Sequence, residues 1–137
     1  MGLDVEAEVS RQVIGAAIQV HRSLGPGLLE SVYEECLRLE LEHNSLSCER
    51  QVPLALKYRG KSIEGAYHLD LVVAHKVVVE IKSVERLLPI HDAQLLTYLR
   101  LSSYPIDLLL NFNSVTLKDG LRRFVTTASP RSSASPR

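Results

Sequence analysis

The sequence predicts an α/β domain in which an N-terminal helical hairpin and one later helix flank a mixed sheet. Apolar residues recur at helical spacing on both sides of a Gly-Pro-Gly break, and β-branched and aromatic residues then come in three short runs. After Pro89 a further helical period leads into a last apolar run. The order two helices, three strands, helix, strand is one that stacks helices on a sheet. At 137 residues and 45% hydrophobic content, the chain has the size and core-forming material of a single domain, assigned to residues 1–125.

The first helix is read over 9–24, where Val9, Val13, Ala17 and Val20 recur in steps of three and four. It stops at Gly25-Pro26-Gly27, two permissive residues around one that cannot continue the hydrogen-bond ladder. A second helix follows at once, with Leu29, Val32, Tyr33, Cys36 and Leu37 as its buried stripe, and fades at His43-Asn44-Ser45. Two helices joined by so short a break pack as a hairpin.

Strands are expected at 51–58, 66–73 and Val77–Lys82, separated by Arg59-Gly60-Lys61, Glu64-Gly65 and Ala74-His75-Lys76. In the middle one, Tyr67, Leu69 and Leu71 alternate with His68, Asp70 and Val72, giving one apolar and one more polar face. The third is apolar until Glu80 and Lys82, as a strand covered on both faces would be. Helical spacing returns at 92–101, with Ala93, Leu96 and Leu99, before an apolar strand at 106–112 and a short helix or strand at 120–125. The tail 126–137, TTASPRSSASPR, has nothing to bury and is expected to be disordered.

Sixteen Lys and Arg balance sixteen Asp and Glu, so no whole-molecule field attracts nucleic acid or an anionic membrane. Contacts with phosphate must come from local groups, such as Lys57, Arg59 and Lys61 on one turn, Arg122-Arg123, or Arg86 and Arg100. Cys36 and Cys48 are too few for a disulfide framework and lack the paired spacing of a zinc site, so reduced thiols in a cytoplasmic chain are expected. The opening MGLDVEAEVS resembles no signal or transit peptide. No apolar stretch approaches the ~20 residues of a membrane span, so no membrane partner is expected.

Glu80 and Lys82, two apart on a strand, leave the same face while Ile81 points into the core. If the connection pairs the strands about His75, facing residues have numbers summing to 150, which sets Asp70 opposite Glu80. A slip of one residue would send Glu80 to the other face. Two facing carboxylates in a partly dry site are unfavourable as anions unless a cation joins them. Magnesium accepts one or two carboxylates, waters and phosphate oxygens, and Asp70, Glu80 and the Ile81 carbonyl are the donors on offer. Lys82 beside them can hold the attacking water and screen the charge that develops on phosphorus, a combination suited to phosphodiester hydrolysis. The plain alternative is an edge-strand ion pair of Glu80 with Lys82. Against it stands the position of the triplet, at the end of the most apolar strand in the chain.

Asp70 followed by Glu80-x-Lys82 on a β-hairpin resembles the PD-(D/E)XK nuclease superfamily. Gly27-Leu28-Leu29-Glu30-Ser31-Val32-Tyr33 resembles the GxxExxY family within it, and VHRSLGPGLLESVYEE, YHLDLVV, VVVEIKSVERLLPIHDAQLLTYL and LLLNFN read like that family across 9–125. The resemblance implies a restriction-endonuclease-like core, with Asp70 and Glu80 as ligands of Mg²⁺ or Mn²⁺ and Lys82 as the catalytic lysine. Glu30 would be an additional catalytic and metal-binding acid, although a carboxylate in a first helical turn is also stabilised by the helix dipole, by ~0.3–1 kcal/mol. Gln94 and Tyr98 match the Q-x-x-x-Y helix of RecB-like nucleases and, four apart, share a helix face beside the site. The superfamily's proline before the aspartate is Leu69 here, which alters the backbone bend and not the ligand set.

Tyr33, His21 and His68 are candidate supporting residues. His21 lies in step with Val13 and Ala17 on an apolar helix face from which it could approach Glu30, while His68 shares a face with Asp70. His91 is read as a helix-start residue and not as a ligand. The function implied is a metal-dependent nuclease with nucleic acid, chiefly DNA, as its partner. The alternatives are a non-enzymatic nucleic-acid or protein-binding module on the same scaffold, paired as a homodimer, and an enzyme acting on nucleotides or another phosphoester.

Overall fold

Apolar periodicity and turn chemistry account for nearly every element of the computed structural model, which describes residues 2–125; the tail at 126–137 lies outside them. Helix α1, Gly2–Leu24, begins before the expected residue 9 because Val5 to Glu8 are not buried and carry no apolar stripe. Helix α2 spans Glu30–His43. Strands β1, β2 and β3 follow at Cys48–Tyr58, Lys61–Val73 and Val77–Lys82. Helix α3, Pro89–Ser102, opens with a proline in its first turn, where the missing N–H is not needed, and His91 Nδ1 accepts the Leu88 N–H at 2.9 Å. Strand β4, Ile106–Asn111, then leads through a 3₁₀ turn at Leu117–Gly120 to β5, Leu121–Val125.

The sheet order is β1-β2-β3-β4-β5, antiparallel except for the parallel β3–β4 pair, which α3 joins by a crossover. One face carries the α1–α2 hairpin. Val13, Ala17, Val20, Tyr33, Leu37 and Leu41 pack there against Leu71, Val73, Val77, Val79, Ile81, Leu108 and Leu110. Each fully buried Val or Leu contributes about 1.5–3 kcal/mol, which makes this layer the main source of stability. The other face is smaller, with Leu54, Leu69, Val72 and Val78 packed against Tyr98, Leu101 and Tyr104.

Several expectations need correction, among them the helix stripes: Leu29 and Val32 are exposed at the start of α2, and α3 buries Leu95 with Leu99 in place of Ala93 and Leu96. Strand β2 starts at Lys61 and not at 66: Arg59 (φ 51°) and Gly60 (φ 78°) make the turn, and Glu64-Gly65 is absorbed within the strand, with Gly65 at φ 71°. Residues Lys61 to His68 are exposed and therefore show no buried-face alternation. The alternation also breaks at Asp70, since Leu69 packs in the α3-side cluster while Leu71 packs beneath the helical hairpin. Gly120 is required because a Cβ there would lie 2.5 Å from the Asn111 carbonyl oxygen.

Candidate active site

Strand β3 lies in the middle of the sheet, so Val77 through Ile81 are all buried, and Glu80 retains only 5% of its exposure. This removes the edge-strand reading. Among the described residues, no ion pair within 4.0 Å joins Glu80 to Lys82. The β2–β3 register is Leu71↔Val79, Val72↔Val78 and Val73↔Val77, with numbers summing to 150 as expected. The three-residue connection Ala74-His75-Lys76, closed by Lys76 N–H to Val73 C=O at 2.9 Å, holds that parity.

Beyond Leu71↔Val79 the side chains take over from the ladder. Ile81 N–H donates to Asp70 Oδ2 at 2.8 Å, and Asp70 N–H points to Glu80 Oε2 at 3.4 Å. Each carboxylate thus reaches the backbone beside the other. Burial first, and the Asp70 charge second, push Glu80 up to about 9. Burial also raises Asp70, and the charge of Glu34 adds to it, while the Ile81 N–H, Gln51 and Lys82 oppose it. The charge of Lys82 favours ionisation of both carboxyls.

A pair of converging acids that resists ionisation is a donor set that a hard divalent cation would relieve, and Asp70 with Glu80 fits Mg²⁺ or Mn²⁺ in type. Among the described residues, no group of three or more His, Cys, Asp or Glu is assembled for a metal. The site therefore offers two carboxylates and leaves the remaining positions to water or phosphate.

Glu30 binds the backbone just past the end of β3. Its Oε2 accepts the Ser83 N–H at 3.0 Å, one residue beyond Lys82, while Ser83 Oγ donates to the Leu28 carbonyl at 2.6 Å. Tyr33, fully buried, stacks on Phe112 at 4.6 Å, donates to the Gly25 carbonyl at 2.5 Å and accepts the Leu28 N–H at 3.1 Å. Gly25 (φ 71°) and Gly27 (φ 98°) provide the left-handed turns that let the loop close on this hydroxyl. Gly27, Glu30 and Tyr33 therefore act as one clasp holding α2 to the end of β3.

The remaining candidates divide. Tyr98 packs on the Leu54, Leu69, Val72 and Val78 cluster, 5.6 Å from Tyr67 ring to ring, and burial followed by the Glu80 charge raises its phenol. Gln94, one turn before it, is exposed and makes no side-chain hydrogen bond among the described residues. No hydrogen bond or ion pair joins His21 to Glu30 among the described residues: its Nε2 lies 2.8 Å from the Ser114 carbonyl oxygen and its ring lies near Phe112. His68 is exposed, opposite Pro53 of β1, and makes no side-chain hydrogen bond to Asp70 or Glu80 among the described residues. Ile81 donates its N–H to Asp70, and in a strand the carbonyl of the same residue leaves on the same side as its N–H.

Sequence reasoning passed over three residues near the acids. Glu34, buried to 7%, accepts from Arg50 Nε at 3.0 Å and from Gln51 Nε2 at 3.0 Å, and the same Gln51 nitrogen reaches Asp70 Oδ1 at 3.3 Å. Its position four residues after Glu30, on the same helix face, was a usable signal. Asp107 is fully buried on β4, beside Val78 of β3; neither carboxylate oxygen has a hydrogen-bond partner among the described residues, and burial pushes it up to about 8. A lone acid inside Ile106–Asn111, otherwise apolar to Leu110, was the signal for it. Gln51 had none.

The sequence profile of the PD-(D/E)XK nuclease superfamily matches residues 7–124. No curated protein and no solved structure matches the chain. Among the described residues, three α-helices and a five-stranded mixed sheet agree with the restriction-endonuclease-like fold of that superfamily. No described helix is long and apolar enough to cross a membrane.

Proposed function

We propose, since this chain belongs to the PD-(D/E)XK nuclease superfamily, that it hydrolyses phosphodiester bonds of nucleic acid, DNA in the first instance, with Mg²⁺ or Mn²⁺ held by Asp70 and Glu80. The observation that carries this reading is the mutual reach of those two carboxyls beside Lys82, in the most buried part of the sheet. A divalent ion bound there supplies Lewis-acid polarisation of the phosphate. Lys82 Nζ donates to the attacking water or to the charge developing on the phosphate oxygens. The water oxygen forms a bond to phosphorus, the ester P–O bond breaks, and the water's proton leaves as the alcohol oxygen gains one. Tyr98 borders the site as a donor or stacking surface for the substrate. Glu30 enters through the Ser83 N–H, holding the end of β3, and Gln94 lines the exposed approach along α3.

We also place the chain in the GxxExxY group of the superfamily, because Gly27, Glu30 and Tyr33 work as one clasp. The β1–β2 turn supports nucleic acid as the partner, since Lys57, Arg59 and Lys61 surround an exposed Tyr58. Arg122 is less available, being bound to Asp92 at 2.8 Å. The engagement of Glu30 by Ser83 favours a second reading, a nucleic-acid-binding module that does not cleave. Soaking crystals in Mn²⁺ tests the first: anomalous density between Asp70 and Glu80 is expected, and its absence at saturating Mn²⁺ would leave the binding module.

A further inference from the structure

We infer that Gln51 is the positioning residue for Asp70, an amide strut between α2 and β2 that sets the direction of the carboxylate facing Glu80. The inference rests on the reading of Asp70 and Glu80 as the cation site.

Both oxygens of Asp70 are held. Oδ2 takes the Ile81 N–H at 2.8 Å, and Oδ1 takes Gln51 Nε2 at 3.3 Å. The same Nε2 lies 3.0 and 3.3 Å from the two oxygens of Glu34. Two carboxylates cannot meet directly without repulsion, but an amide nitrogen carries two hydrogens and can serve both. The opposite orientation of the amide would put its carbonyl between two anions, so only one orientation is compatible with these partners. Each Asp70 oxygen keeps a further lone pair for a cation.

The backbone of β1 is bent to make this possible. Gln51 has φ 51°, in the left-handed region, and stands level with Asp70 between the pairs Arg50↔Leu71 and Val52↔Leu69, without forming a ladder pair of its own. Such a conformation is unfavourable for a residue with a side chain, and it is maintained where the surroundings over-determine it. The far end is anchored too. Arg50 Nε binds Glu34 at 3.0 Å, and Arg50 Nη1 binds Glu35 at 2.6 Å, so Glu34 cannot swing away from the strut.

A purely structural role and a positioning role make opposite predictions for Gln51→Gly. Glycine adopts φ 51° without strain, so the metal-free variant is expected to unfold at the same temperature as the natural protein or higher. Without the amide, Mn²⁺ should bind about tenfold more weakly in a calorimetric titration, the usual scale for losing a residue that orients a ligand. Gln51→Asn, which also tolerates a left-handed backbone but is one methylene too short, should lose affinity similarly and replaces the glycine variant if that one does not fold. Undiminished Mn²⁺ affinity in the variant, or a loss of thermal stability with affinity unchanged, overturns the role of Gln51. Failure of the natural protein to bind Mn²⁺, or equal binding by Asp70→Asn, overturns the cation site itself.

Discussion

Asp70 Oδ2 accepts the N–H of Ile81 at 2.8 Å, so a side chain on one strand substitutes for the main-chain carbonyl that would otherwise continue the pairing. The ladder of β2 and β3 ends there, and the space it vacates is where the carboxyls of Asp70 and Glu80 converge.

Because Glu80 is pushed up to about 9 in the metal-free protein, it holds a proton at neutral pH. A metal ligand must release its proton, so Mn²⁺ binding should free about one proton per ion near pH 7, with affinity rising as pH increases toward 9. Calorimetry in buffers of different ionisation enthalpy measures this directly. Affinity that is flat between about pH 6.5 and 8.5 would contradict it.

Lys82 is half-buried and makes no ion pair among the described residues, so Lys82→Ala should leave the fold intact. Metal-dependent cleavage should drop ~10²-fold or more, the scale for losing a positioned proton-handling or charge-stabilising group. The same change removes a cation that eases ionisation of Asp70 and Glu80, which shifts the onset of Mn²⁺ binding to higher pH. Cleavage that persists unchanged would assign the activity to another site or another protein.

Asp107 ionises near 3.8 in an unfolded chain and near 8 in the fold. Between those values the folded state keeps a proton that the unfolded state gives up, so stability falls as pH rises through the window and levels off above it. Glu80 contributes in the same direction. Thermal unfolding of metal-free Asp107→Asn across about pH 4 to 8 should show a shallower decline than the natural protein, and an equal or steeper one would refute the assignment.

Tyr33→Phe removes the hydroxyl that joins the Gly25 carbonyl to the Leu28 N–H while leaving the ring on Phe112. The Leu28 amide, on an exposed residue, then exchanges that partner for water, at a cost of about 0.5–1.5 kcal/mol for the lost hydrogen bonds. Amide exchange should quicken at Leu28 and at Ser83, whose side-chain and backbone hydrogen bonds belong to the same clasp.

Arg59→Glu with Lys61→Glu reverses charge on the exposed β1–β2 turn, away from the core. Oligonucleotide affinity should weaken and its dependence on salt should flatten, by about one unit of log–log slope for each phosphate that the turn ceases to neutralise. Affinity and slope that both stay unchanged would place the nucleic acid elsewhere.

Much of the architecture is written in local pattern. The 3.6-residue stripe Val9, Val13, Ala17, Val20 and the continuous run Val77–Ile81 each admit one placement once a sheet must be covered, and both are buried as expected. The exposed half of β2 was illegible for the matching reason: residues that meet water on both sides carry no periodicity. Within the candidate site, the Asp70–Glu80 relation followed from an odd-length turn, whereas Glu34 and Asp107 acquire meaning only from what surrounds them.

Residue order alone determined the α/β class and the hairpin parity that sets Asp70 against Glu80, because these depend on periodicity and turn length within short stretches of chain. Tertiary structure decided that Glu30 clasps Ser83, that His21 turns to Ser114, and that Gln51 leaves the β region to bridge Glu34 and Asp70. Those pairs join residues far apart in the chain, and side-chain hydrogen bonds over such separations leave no periodic trace in a sequence.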